Sequence, residues 1–216
     1  MDRTGMPVLT TRRLCLRPFV LADAAEVQRL AGAREIAETT LRIPHPYPDG
    51  VAEGWILSHG GAWERGDELS LAITRREDDV LVGAIGLALA LPDARAELGY
   101  WIGVPYWGRG YATEAACAVV AFGFGVLHLE RIHACHFGGN PASGRVLAKA
   151  GLVHEGTQRR HVVKWGRTED LELYGLLQEE FAGAGDALAS IAYIGVHAEP
   201  AGGSADPATA PASPGY

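Results

Sequence analysis

The chain has 216 residues, 48% hydrophobic and 21% charged, which suits a single globular domain with an ample core. Its formal net charge is −7; Asp186, Glu199 and Asp206 lie beyond Phe181, so before that point 19 cations face 23 acids, and no basic patch advertises nucleic acid. Cys15, Cys117 and Cys135 have no paired spacing, which argues for reduced thiols and against a disulfide framework, and Met1 to Leu9 lacks the apolar core of a leader. No run is long enough to span a bilayer, so the sequence predicts a cytoplasmic protein with no membrane partner.

In chain order, Thr10 to Phe19 alternates, with Leu14 and Leu16 on one side and Cys15 and Arg17 on the other, as in a first strand. Asp23 is placed to cap a helix that carries Val27, Leu30 and Ala31 on one face. Pro44, Pro46 and Pro48 hold the stretch from Arg42 to Pro48 extended and make it a candidate lid. A second helix is predicted from Val51 to Glu64, with Trp55, Ile56, His59 and Trp63 at near-helical spacing. Glu68 to Thr74 and Val80 to Leu91 read as a hairpin. After a central strand and a glycine turn comes a helix to about Leu127, then a strand from Glu130 to Phe137. Next is a helix from Pro141 to Ala150, capped by Asn140 and stopped by Gly151. Leu152 to Lys164 and Thr168 to Leu177 form two last strands. The order is mixed α/β. Beyond Phe181 eleven of 35 residues are Ala, six Gly and four Pro, which predicts a tail over 182–216, disordered from about Pro200. Ile191 to Val196 is apolar enough to add an edge strand.

The stretch from Glu97 to Ala115 organises the rest. An aromatic-rich strand runs into Trp107-Gly108-Arg109-Gly110-Tyr111-Ala112, and a helix begins at Thr113. Two glycines let such a turn aim several backbone N–H groups at one point, and the helix N-terminus adds partial positive charge, so the natural guest is an anion such as phosphate. A dinucleotide-binding turn would need a third glycine where Thr113 stands and an acid at the end of the next strand; Arg131 to Phe137 ends without one.

Downstream, Asn140-Pro141-Ala142-Ser143 is followed by Lys149-Ala150-Gly151-Leu152 and Glu155-Gly156. Together with Trp107 to Ala115, in this order and at these distances, these motifs resemble the GNAT acetyltransferase superfamily, and its RimJ/RimL-type branch most closely. The resemblance covers about 7–181, the predicted acetyltransferase domain. It implies a mixed, mostly antiparallel sheet of about seven strands, splayed at the centre and flanked by helices. Acetyl-coenzyme A, the implied co-substrate, wedges into the splay, and no metal is implied. The implied reaction transfers acetyl to a primary amine, on a peptide N-terminus or a small molecule, by direct attack in a ternary complex. A homodimer is open.

Acetyl transfer makes four demands: donors for the pyrophosphate, a base for the ammonium, a donor for the oxyanion, and a proton for the departing thiolate. The resemblance assigns the cofactor to Ile102, Gly103, Val104, Trp107, Gly108, Arg109, Gly110, Tyr111, Ala112 and Thr113, with Asn140 and Ser143 beside the pantetheine arm. Pro105 stands where the family carries a polar side chain, which removes one contact. Ser143, one turn along from Asn140, lies near the sulfur by resemblance. Glu97 is the first candidate base. His161 is the second, because the strand after the Asn-Ser helix has no acid at Arg160-His161-Val162 and imidazole titrates near neutral pH. Glu114, in the first helical turn, reads as a helix stabiliser, and Asp170 as structural. His45 and Tyr47 belong to the segment that covers the acceptor. The competing function is a non-catalytic acyl-coenzyme A sensor on the same fold.

Overall fold

The computed structural model describes residues 5–183 and 190–195. Among them nine strands form one sheet, β1 Gly5–Thr10, β2 Leu14–Arg17, β3 Glu68–Arg75, β4 Leu81–Ala90, β5 Arg95–Ile102, β6 Arg131–Phe137, β7 Val153–Lys164, β8 Arg167–Leu177 and β9 Ser190–Gly195, in the order β7-β8-β6-β5-β4-β3-β2-β1-β9. The helices are α1 Ala24–Ala31, α2 Arg34–Glu38, α3 Val51–Arg65, α4 Tyr111–Gly125 and α5 Pro141–Lys149. The sheet is antiparallel except between β5 and β6.

Two strands exceed the seven expected. The first predicted strand begins earlier and folds back on itself. Thr11 closes a tight turn, its amide donating to the Leu14 carbonyl at 2.9 Å and its hydroxyl accepting from the Leu14 amide at 3.0 Å, so β1 and β2 pair as a hairpin. Near the other end of the chain, β9 pairs with β1 from Gly5↔Gly195 to Thr10↔Ser190, so the sheet takes in chain past Phe181. The predicted disorder from Pro200 lies outside the described residues. None of the described helices is long and apolar enough to cross a membrane.

Alternation sorts the two cores. Leu71, Ile85, Leu87 and Leu98 bury one sheet face under α4, whose ten buried residues ring it almost completely. Ala72, Ala84 and Trp101 bury the other face under Val27, Leu30, Ile36 and Ile56 of α1, α2 and α3. α2 was not foreseen, because five residues are too few to show a period. Asp23 does not cap α1; its carboxylate accepts from both terminal nitrogens of Arg17, at 2.8 and 3.0 Å, and from the Val20 amide at 2.9 Å.

The tryptophan face of α3 is core. Trp63 is fully buried and donates its indole N–H to the Gly5 carbonyl at 2.9 Å. His59 stands between Trp55 and Phe19, with ring centroids 4.5 and 5.4 Å away, and neither ring nitrogen has a hydrogen-bond partner among the described residues. Burial lowers this imidazole from the ordinary 6.5 to about 4. The unfolded chain therefore binds one more proton than the folded one between those values. Stability from the neutral ring is complete above pH 6.5 and is lost as the pH falls toward 4, to a total on the order of 3 kcal/mol. Urea unfolding at pH 7.5 and 4.5 should show wild type losing much more stability than His59→Leu across that interval; equal losses would refute the assignment.

Candidate functional site

The β5–β6 ladder has three pairs, Arg95↔Arg131, Ala96↔Ile132 and Glu97↔His133. Beyond Glu97 the strands part. β5 stays paired with β4 through Gly83↔Ile102, and β6 with β8 through Phe137↔Leu171. The edge of β5 from Leu98 to Ile102 thus has no strand partner on the β6 side, and its backbone groups need another one. A cavity of about 590 Å³ opens through this fork, lined on one side by α4 and α5 and on the other by the segment after α2.

The glycine turn forms one end. A short 3₁₀ turn, Val104–Tyr106, carries Pro105, and the chain then reverses through Gly108 at φ +75° and Gly110 at φ +78°. Only glycine takes that conformation at little cost. The N–H groups of Gly108, Arg109 and Gly110 have no partner among the described residues, and those of Tyr111, Ala112 and Thr113 open α4 without an intrahelical acceptor. A Cβ on Gly108 would meet nothing within 4 Å, so that flank of the turn is open. These features fit a pyrophosphate. Arg145 and Lys149, one turn apart on α5, add two cations to the cavity wall. Glu114 anchors the turn from behind. Burial would raise its carboxyl, but hydrogen bonds from the Thr11 hydroxyl at 2.7 Å and from the Arg13 amide and guanidinium, at 2.8 and 2.6 Å, hold it below the ordinary range.

Most assigned cofactor residues border the cavity: Ile102, Trp107, Gly108, Gly110, Tyr111, Ala112, Thr113, Asn140 and Ser143. Gly103, Val104 and Arg109 do not. The Gly103 amide donates to the Val82 carbonyl at 2.8 Å, and a Cβ there would lie 2.7 Å from Leu30, so this glycine lets α1 approach the sheet. Val104 packs on the core beneath α1. Arg109 is exposed, its carbonyl taken by the Arg13 guanidinium at 3.0 Å and its own guanidinium 6.0 Å from the Tyr106 ring. Ile102 gives its carbonyl to the Trp107 indole at 2.6 Å, which fixes that ring at the cavity wall.

The Asn140 side-chain oxygen accepts from the Ser143 amide at 3.3 Å, as a cap should, and leaves the amide nitrogen for a ligand. The Ser143 hydroxyl is 2.8 Å from the Tyr100 hydroxyl, which also donates to the Ser143 carbonyl at 3.1 Å. Tyr100 was not foreseen. Its alternation on β5 marked it as facing α4 and α5, but the 43 residues to Ser143 hid the pair. Burial pushes its phenol up to about 12, so it stays a donor.

Glu97 borders the cavity from the last paired position of β5. The Cys135 thiol on β6 donates to its Oε1 at 3.6 Å. Burial first, and then the Glu97 charge, push this thiol up to about 12, so it stays protonated. His161 borders the same cavity from an exposed position on β7. His45 and Tyr47 do not border it. The His45 Nδ1 meets the Gly32 carbonyl at 3.1 Å and its ring lies 6.0 Å from Trp165, while Tyr47 packs beside α1. The segment that meets the cavity comes earlier, at Thr39 to Arg42. Lys164 holds it there by donating to the Leu41 and Ile43 carbonyls at 3.2 and 3.3 Å.

A family profile described as an acetyltransferase (GNAT) domain matches residues 13–153. The uncharacterised N-acetyltransferase YoaA of Bacillus subtilis is 32% identical over 182 residues, covering 80% of this chain and 97% of that protein. The N-acetyltransferase p20 of Bacillus licheniformis is 31% identical over 82% of this chain and its own full length. Among solved structures, Mycobacterium smegmatis RimJ, determined with CoA-disulfide, superposes with a TM-score of 0.74 at 24% identity, over 85% of this chain and 93% of its own. That likeness establishes the fold.

Two substitutions test the cavity. Gly110→Val should strain the turn and weaken acetyl-coenzyme A binding at least about tenfold, roughly 1.4 kcal/mol; unchanged calorimetric affinity in the folded variant would reject the turn as the pyrophosphate site. Tyr100→Phe should lower kcat about tenfold while changing the acetyl-coenzyme A Kd less than about twofold, because it positions Ser143 without holding the ligand. A matching loss in Kd would make Tyr100 a binding residue.

Proposed function

The chain belongs to the GNAT acetyltransferase family and is an N-acetyltransferase, and from that premise we propose that it acetylates a primary amine, on a peptide N-terminus or a small molecule, by direct attack within a ternary complex. The observation that carries this reading is the fork itself. It offers a phosphate-sized turn at one end and an unpaired strand edge along its length. Glu97 stands where the strands divide, and the Ser143–Tyr100 hydroxyl pair lines the α5 side.

Acetyl-coenzyme A supplies the activated acetyl thioester. The N–H groups of Gly108 to Thr113 hold its pyrophosphate, and Arg145 and Lys149 add charge. The β5 edge from Leu98 to Ile102 gives backbone partners to the pantetheine amides, which aligns the thioester along the strand. Glu97 accepts the proton that the acceptor ammonium must lose. Its place on the opposite sheet face from Tyr100 fits this division of labour, since strand alternation sends the two side chains to opposite sides. Ser143 donates a hydrogen bond to the departing sulfur, and Tyr100 orients that hydroxyl. Cys135, the thiol nearest to Glu97, stays protonated, which disfavours a covalent acetyl-cysteine route and favours direct attack.

His161 is the second base candidate. Its exposure on β7 leaves it less able than Glu97 to act in the dry part of the fork. With an amine acceptor of known pKa, Glu97→Gln should lower kcat/KM about a hundredfold, while His161→Gln should change it by less than about threefold. The reverse pattern would transfer the role to His161. Small effects in both would mean that solvent takes the proton.

A further inference from the structure

Arg13, on the turn between β1 and β2, reaches across to the glycine turn before α4. Its guanidinium makes two separate bonds there. Nε donates to the Glu114 carboxylate at 2.6 Å, and Nη1 donates to the Arg109 carbonyl at 3.0 Å. The same group lies 5.0 Å from the centre of the Tyr111 ring, and a Cβ on Gly110 would stand 3.4 Å from its Nη2. The guanidinium thus backs the turn from Arg109 to Tyr111. Arg13 is itself held by its backbone: its amide donates to Glu114 at 2.8 Å, and its carbonyl accepts from the Arg76 amide at 2.9 Å. Gly110 borders the cavity, whereas Arg13 and Arg109 do not.

The bond to the Arg109 carbonyl fixes a direction. The Arg109–Gly110 peptide is trans, as bonds to residues other than proline are, and in a trans peptide the C=O and the following N–H point opposite ways. A carbonyl turned to Arg13 therefore sends the Gly110 N–H away from Arg13. That N–H has no partner among the described residues. The glycine does not set this direction for itself. Gly110 sits at φ +78°, and glycine takes positive and negative φ with similar ease, so the peptide before it turns over at little cost. Turned over, it would offer an anion a carbonyl oxygen in place of a donor. The freedom that lets the turn form leaves this peptide in need of an outside tie.

We propose that Arg13 is a positioning residue for coenzyme A: by holding the Arg109 carbonyl it aims the Gly110 N–H at the pyrophosphate. The proposal rests on the cofactor placement given above and names a residue outside the cavity on which that placement depends. Arg13 itself does not touch the ligand. The bonds to Glu114 and to the Arg109 carbonyl come from different nitrogens of one planar fork, and lysine has a single nitrogen.

The test uses the full chain, isotopically labelled for amide NMR, with coenzyme A as the probe. It compares wild type with Arg13→Lys, which keeps the charge, and Arg13→Gln, which removes it. In wild type the Gly110 amide proton should move downfield at saturating coenzyme A, the mark of a hydrogen bond to an anion. In both variants calorimetry should give a Kd about tenfold higher. At saturation Gly110 should lose its displacement, while the Ser143 amide responds as in wild type. A loss of stability alone would leave the Gly110 displacement in place. An unchanged Kd in both variants, or a Gly110 displacement kept in both, would overturn the proposal. So would full affinity in Arg13→Lys beside a loss in Arg13→Gln, since charge and not the fork would then be what counts. A wild-type Gly110 amide that does not respond to bound coenzyme A would overturn it whether or not the variants fold. Those outcomes leave the acetyl-transfer reading standing; failure of wild type to bind coenzyme A at all would sink both.

Discussion

The site depends on two neighbouring strands that are paired for three residues and then part. β5 is held along its outer edge by eight residue pairs with β4, and β6 by seven with β8. The facing edges diverge beyond Glu97, which leaves backbone groups of β5 from Leu98 to Tyr100 without a strand partner on that side, while the Ile102 carbonyl is taken by the Trp107 indole. A ligand with amides of its own can satisfy them.

The other groups at the site are arranged around that fork by strand alternation. Leu98 and Tyr100 face α4 and α5, where the glycine turn and Ser143 lie, and Glu97 and Trp101 face α1 and α2. Stiffness comes from contacts distant in sequence. Glu114 ties the start of α4 to the β1–β2 turn, and Lys164 ties the segment from Leu41 to Ile43 to the β7–β8 hairpin. Burial lowers the Lys164 ammonium, so this second tie spends desolvation energy to hold two carbonyls.

Legibility followed the range of the interaction. Apolar patterning marked α3, α4 and β3 to β6 because each buries much of its own side-chain surface, while β7 is exposed along nearly all of its length. The glycine turn was legible because left-handed backbone and a helix N-terminus leave a local signature at Gly108 and Gly110. Asn140 was legible as a cap for the same reason. Asp23 misled, since a nearby guanidinium competes better for its carboxylate than the helix end does.

By itself the sequence determined the order of β2 to β8 and of α1, α3, α4 and α5, the glycine turn, the Asn140–Ser143 helix start and the place of Glu97 on β5. Each is set by residues within a turn or two of one another. The tertiary structure alone decided where the β5–β6 ladder ends, that Tyr100 meets Ser143, that Gly103 packs against α1, and that Thr39 to Arg42 and not His45 and Tyr47 border the cavity. Those outcomes depend on strand register and on contacts between segments tens of residues apart, and spacing along the chain carries no record of either.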